Sequence, residues 1–392
     1  MQKTIEVSFS KLKTYIEKEN FIGYDPYDTL NSWIPFRHLG KWPAVIATQL
    51  QKRNPVNIRP MIGIHKEINP KAYGLFLQAY SILYDKTKDK ASLDRATYFY
   101  NYLKENYSKG YSGHAWGYNF PWATPVKFVG SFVPSSVVTG FVCRGLWQYY
   151  QITKNEEAAE IIKSVSEFIL KDLQVYSDET GKCISYTPVM QDVCYNSSLL
   201  AAEVLAMTYS FTRKQSLKKL CIELVDFVIK RQKSDGYWNY SENIITKKER
   251  EQIDFHQGYI LESISAIKEL IDLNGDKWDQ AIILGLDFYY NKQFFINGRS
   301  LWRLPKEYPV DIHNQAQGII TFSKFQKFNK DYFLFANKIA EWTIENMQAK
   351  EGYFFYRNLK YFKNKISYMR WSQAWMFLAL SFLHNESEFI DY

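Results

Sequence analysis

The chain has 392 residues, of which 46% are hydrophobic, 17% aromatic and 23% charged. That much apolar surface can offset the entropy of ordering a chain, which excludes intrinsic disorder and a small disulfide-stapled module. The net charge of +8, from 49 basic against 41 acidic residues, is spread along the sequence. A nucleic-acid footprint would be more concentrated, whereas an anionic saccharide is compatible with this balance.

No run of about 18 apolar residues occurs, so no membrane span is expected. The opening MQKTIEVSFSKLKTYIEKEN lacks an apolar core and a small-residue cleavage site, and the expected address is the cytoplasm. Cys143, Cys183, Cys194 and Cys221 form no CxxC pair, which fits a reducing compartment.

In chain order, residues 1–30 read as an N-terminal extension packed on a single domain spanning 31–392. The stretch Phe21 to Trp33, FIGYDPYDTLNSW, is distinctive. Its Asp25-Pro26 and Asp28 have the character of turn and cap residues, and no chemistry attaches to them. An amphipathic stretch near 38–52 follows, then Arg59-Pro60, a candidate rim guanidinium. Asn69-Pro70, with proline at the first helical position, opens the first of six apolar, small-residue-rich helices. Ser135, Asp192, Asp254, Asp311 and Tyr368 lead the others, at intervals of roughly 57 to 66 residues. Between them lie stretches with Lys and Glu on one face, near 92–107, 155–174, 215–233, 276–293 and 331–348. With 38–52 as the twelfth helix, the count is six hairpins, and a fixed period of this kind marks a repeat architecture.

The linkers repeat as well. After each outer helix comes glycine and then an aromatic extended stretch: Gly110 to Tyr118, Gly181 to Tyr186, Gly236 to Trp238, Gly298 to Trp302 and Gly352 to Tyr356. Each reads as a helix stop followed by a short strand or hairpin. The connections at the other end are tight. The expected fold is all-α, an (α/α)6 toroid of six helical hairpins with short β-hairpins in the loops at one rim.

This pattern resembles the six-hairpin (α/α)6-toroid carbohydrate enzymes: unsaturated uronyl hydrolases, several glycoside hydrolases, some polysaccharide lyases and the toroidal part of uronyl epimerases. The resemblance is one of architecture and covers roughly residues 30–385. It implies an enzyme acting on an acidic, uronic-acid-containing saccharide by hydrolysis, elimination or epimerisation. No cofactor is implied, and the expected state is a monomer or homodimer.

In sugar chemistry one carboxyl protonates a leaving oxygen or double bond while another activates water or stabilises positive charge. Asp192 and Asp254 are the expected acid/base pair, with Asp311 as a third carboxylate. Capping alone also explains an aspartate at such positions. His256 and His313 each stand two residues after an aspartate and are expected to orient water or substrate. A buried histidine satisfied by a neighbour is the alternative. Arg370 would grip a substrate carboxylate or pair with an inner aspartate. Trp371, Gln373, Tyr368, His114, Trp116, Tyr118, Trp238 and Arg59 complete the substrate-binding candidates.

A second constellation competes. Asp192-Val193-Cys194 followed by His256 resembles the zinc ligands of protein prenyltransferase β-subunits, which are also α/α toroids, and implies a zinc site with an open position. The chain lacks the consistent Gly-Gly linkers of that family. For Cys194 the competing role is that of a small buried apolar residue. A non-catalytic saccharide-binding or scaffold protein of polysaccharide biosynthesis is the third reading. No P-loop, dinucleotide fingerprint, HExxH or GxSxG occurs in a context that would support it.

Overall fold

A computed structural model describes residues 2–384. Among them are thirteen α-helices: α1 (Gln2–Lys18), α2 (Lys41–Arg53), α3 (Pro70–Thr87), α4 (Lys90–Glu105), α5 (Ser136–Thr153), α6 (Glu156–Asp172), α7 (Tyr195–Thr212), α8 (Gln215–Ile229), α9 (His256–Leu270), α10 (Asp276–Gln293), α11 (Ile312–Lys324), α12 (Lys330–Met347) and α13 (Trp375–Leu383). A π-helical turn, Met369–Ala374, leads directly into α13. Helices α3, α5, α7, α9, α11 and α13 pack side by side, and α13 closes the ring by packing on α3. They are the more buried set, with α7 buried continuously from Tyr195 to Tyr209. The fold is an (α/α)6 toroid, and no helix among the described residues is long and apolar enough to cross a membrane.

The turns at one end are short because the sequence writes the same stop three times. Helices α3, α5 and α7 end in threonine followed by a basic residue, Lys88, Lys154 or Arg213, in the left-handed conformation. The threonine hydroxyl returns a hydrogen bond to the carbonyl four residues back and accepts one from the amide two residues on. Asp89 and Asn155 then cap the next helix through its first amides.

The long connections lie at the opposite rim. They carry the hairpin β1 (Trp122–Ala123)/β2 (Phe128–Val129) and the hairpin β3 (Val175–Asp178)/β4 (Gly181–Ile184). Two three-stranded ribbons complete the set. One orders β5 (Val193–Cys194), β6 (Ser241–Glu242) and β7 (Glu249–Arg250); the other joins β8 (Val310–Asp311), β9 (Arg357–Asn358) and β10 (Lys363–Asn364). A clamp ties each of five incoming loops to the inner helix that follows. Thr139, Ser198, Gln257, Gln315 and Gln373 hydrogen-bond the backbone at Trp116, Ile184, Trp238, Ser300 and Phe354 respectively. Gln373 therefore holds a loop and does not face the cavity, and Trp116 and Trp238 are buried plugs whose indoles bond helix carbonyls.

The twelfth helix of the ring is α1, not the 38–52 stretch. Gly236 (φ 99°) passes so close to α10 that a Cβ there would stand 2.3 Å from the Leu284 carbonyl oxygen. Gly352 (φ 101°) makes the same approach to α1, where the oxygen is that of Lys11, at 2.4 Å. Gln232 and Gln348 repeat the pattern, bonding Ala281 of α10 and Ser8 of α1. Helix α1 also packs on α12 and α13, burying Ile5, Phe9, Leu12 and Ile16. The stretch expected as the twelfth helix, α2, instead lies against the β1 hairpin at the mouth, with Trp42, Ile46 and Leu50 turned outward. Sequence periodicity could not separate the two, because both are amphipathic.

Candidate active site

A cavity of about 820 Å³ opens at the decorated rim. Each inner helix contributes one first-turn residue to its wall: Lys71, Val137, Asn196, His256, His313 and Arg370. The regularity is geometric. Each stands two residues after Asn69, Ser135, Cys194, Asp254, Asp311 or Tyr368, at the point where the chain enters the helix. In the third repeat the entering residue is Cys194. Reading Asp192 as the leader puts the register two residues early, so Asn196 takes the wall position.

The aspartates do not line the cavity. Asp254 is 2% exposed and stands behind His256. One carboxylate oxygen meets His256 Nδ1 at 2.5 Å and caps its amide, and the other accepts from Gln252 and lies 3.4 Å from Arg303. Burial opposes ionisation of Asp254, yet its contact with His256, with Arg303 nearby, holds its carboxyl below the usual range. Asp311 is fully buried. It caps the His313 amide and accepts from Arg357 Nε at 2.7 Å and Trp371 Nε1 at 2.8 Å. Asp192 accepts from Lys127 Nζ at 2.5 Å and the Tyr186 amide at 2.8 Å. The buried Asp254 and Asp311 face Arg303 and Arg357, and the partly exposed Asp192 pairs with Lys127.

The N-terminal motif proves to be part of the site. Asp25 takes two hydrogen bonds from Arg370, at 2.5 and 2.7 Å, and Asp28 holds the buried Arg59 at 2.7 Å. Arg370 and Arg59 are therefore already neutralised by this chain. Between the two aspartates Tyr27 faces the cavity, and its hydroxyl accepts from Lys52 Nζ at 2.7 Å. Burial would raise the Tyr27 hydroxyl, but Lys52, Arg357 and Arg370 bring it below its ordinary value. Tyr368 is buried under Arg59. His114 lies away from the cavity, bonded to Ser164 and packed on Tyr107.

The wall is thus cationic and aromatic. Lys52, Lys71, Arg303, Lys306, Arg357 and Arg370 line it beside Tyr118, Tyr186, Tyr240, Tyr259, Trp302 and Trp371, and no Asp or Glu among the described residues does. With Nδ1 of His256 engaged by Asp254, Nε2 is the nitrogen left to act on a bound molecule. His313 Nε2 shares a 2.5 Å hydrogen bond with the Tyr259 hydroxyl. Burial, with Lys71, Arg370 and His256 close by, pushes the His313 imidazole well below its usual value and favours its neutral form. Burial pushes the Tyr259 hydroxyl well up, so it keeps its proton. The His256 and His313 rings flank Tyr259, with centroids 5.6 and 5.9 Å from its own.

The alternative zinc set does not assemble. Cys194 is buried, its thiol pushed up by that burial, with Sγ bonded to Asn196. Asp192 is occupied by Lys127 and His256 by Asp254. Among the described residues no three His, Cys, Asp or Glu side chains gather as a metal-binding group.

Of the expected site residues, His256, His313, Arg370, Trp371 and Tyr118 meet in the cavity. Tyr27, Lys52, Lys71, Tyr259, Arg303 and Arg357 were missed. Lys71 carried a readable signal, since it follows Asn69 at the same spacing as His256 follows Asp254.

This architecture is similar to that of several solved six-hairpin sugar enzymes. An unsaturated glucuronyl hydrolase specific for heparin superposes with a TM-score of 0.65 at 13% identity, over 100% of this chain and 98% of that one. Cellobiose 2-epimerase from Bacillus thermoamylovorans B4167 gives 0.63 at 18% identity, over 81% and 90%. A family-76 mannosidase from Bacteroides thetaiotaomicron VPI-5482 gives 0.63 at 12% identity, over 97% and 98%. No protein-family model and no curated protein sequence matches the chain.

Proposed function

We propose that the protein is a carbohydrate-active enzyme that epimerises or isomerises an anionic sugar by proton transfer beside a carbonyl. The observation that carries this reading is a wall with two imidazoles and no carboxylate. Glycoside hydrolysis ordinarily needs two carboxyl groups flanking the scissile bond, and here the aspartates support other side chains from behind. His256, oriented by Asp254, takes the proton through Nε2. On return the Tyr259 hydroxyl, backed by neutral His313, donates a proton to the carbon and is reprotonated from solvent as His256 gives up the proton it took, while the cationic wall stabilises the enediolate. The cellobiose 2-epimerase among the similar structures supports the reaction class, and the excess of cations supports an anionic substrate.

The test is a panel of hexuronates, hexose phosphates, cellobiose and mannose incubated with enzyme in D2O and followed by NMR. Deuterium should enter the carbon next to the carbonyl. Asp254→Asn removes a charged hydrogen bond worth about 1.5–3 kcal/mol, which should slow exchange roughly 10- to 150-fold. Glycosidic cleavage without exchange, or exchange unaffected in Asp254→Asn, would refute the mechanism.

A further inference from the structure

The six first-turn residues of the wall differ in how they are satisfied. Arg370 has Asp25, His256 has Asp254, His313 has Tyr259, and Asn196 accepts from Cys194. Val137 is apolar. Lys71 is the one charged side chain of the six without a charged or hydrogen-bonding partner: it is 3% exposed, lines the cavity, and while its amide is capped by Asn69, its Nζ makes no hydrogen bond or ion pair among the described residues. Its Nζ sits among three rings, 4.1 Å from the centroid of Phe141, 5.2 Å from Trp375 and 5.7 Å from Tyr259.

The charges facing it explain why this matters. Arg370 and Arg144 repel the ammonium, and only Asp25, already spent on Arg370, favours it. Arg144 is itself paired with Glu203 at 2.7 Å and lies 3.4 Å from Glu262, so neither glutamate is available. From α11, His313 is neutral; from α9, Tyr259 keeps its proton. Burial first, then the two arginines, lowers the Lys71 amine well below its usual value. A buried amine with no counterion is a costly arrangement. It is relieved when a ligand brings the missing negative charge.

We infer that Lys71 is the seat of the substrate's anionic group, a carboxylate or a phosphate monoester, at the cavity wall beside Tyr259. This rests on the reading of the cavity as a sugar site, and it moves the role expected of Arg370 to a different inner helix. Binding then carries protons with it: the arriving anion favours the ammonium form that burial and the two arginines disfavour, so proton uptake of up to one per site accompanies binding.

The experiment is isothermal titration at pH 8 with D-glucuronate, D-glucose 6-phosphate and D-glucose, repeated in buffers of different ionisation enthalpy. The wild type should bind at least one anionic sugar tenfold or more tighter than glucose, with proton uptake, and the preferred one identifies the group. In Lys71→Met the anion-to-glucose preference should fall below twofold and the uptake vanish. In Lys71→Arg, permanently charged, the preference should persist without uptake; circular dichroism confirms the fold of both. A wild type with no preference for either anion, or Lys71→Met retaining it, overturns the assignment. Loss of deuterium exchange with intact anion preference would sink the proton-transfer reading alone.

Discussion

Replacing Asp25 with asparagine tests whether the N-terminal motif holds the site together. The Asp25 carboxylate and the Arg370 guanidinium join through two hydrogen bonds, with side-chain exposures of 6% and 3%. Asparagine keeps the shape but strands the arginine charge beside a wall that has no other carboxylate. Breaking one side of a buried pair costs about 3–5 kcal/mol. A chain of this length gains unfolding entropy worth roughly 0.8 kcal/mol per degree at its midpoint, so the Tm should fall by about 4–6 °C. The double variant Asp25→Asn/Arg370→Met removes the stranded charge, and its cost should lie near that of one single variant. Differential scanning calorimetry of the four proteins reads this directly. A drop under about 1 °C for Asp25→Asn, or a double variant that costs the sum of both singles, would refute the claim that this pair holds the site together.

Gly352→Ala should destabilise the protein by about 3 kcal/mol, because the new Cβ meets the Lys11 carbonyl oxygen of α1 as well as straining the backbone. Gly40 has a similar φ of 103° with open space around it. Gly40→Ala should therefore cost only the strain, and equal melting shifts for the two variants would remove α1 from the ring. Since the folded state keeps His313 neutral, the unfolded chain binds a proton below about pH 6.5 that the folded chain refuses. Stability should decline as pH drops through 6.5, with a slope approaching 1.4 kcal/mol per pH unit from this group. His313→Gln should flatten that part of a melting curve taken from pH 7.5 to 5, and an unchanged slope would show that the imidazole is charged in the fold.

The period of the helix starts was legible because each repeat solves the same local problem. An extended chain must stop, cap and enter an inner helix. Five side chains from Thr139 to Gln373 clamp the incoming loop in the same way, and the left-handed stops at Lys88, Lys154 and Arg213 close the short turns. Asp254 and Asp311 looked catalytic because caps and catalytic acids share residue type and position. Sequence cannot say which way a carboxylate faces, and here both face inward to cations supplied by distant loops. Nor could it distinguish α1 from α2 as the outer helix, since that choice depends on which amphipathic face meets Gly352 across 341 residues of chain.

The amino-acid order alone determined the period of the six inner helices, five of their outer partners and the rim that carries the long loops, since helical period, caps and glycine stops act over a few residues. Ring closure decided the rest. It brought Asp25 to Arg370, set Arg357 over Asp311, and left Lys71 without a counterion among aromatic rings. Charge pairing inside a protein depends on distance through a poorly screening interior, and those distances exist only once the first and last helices have met.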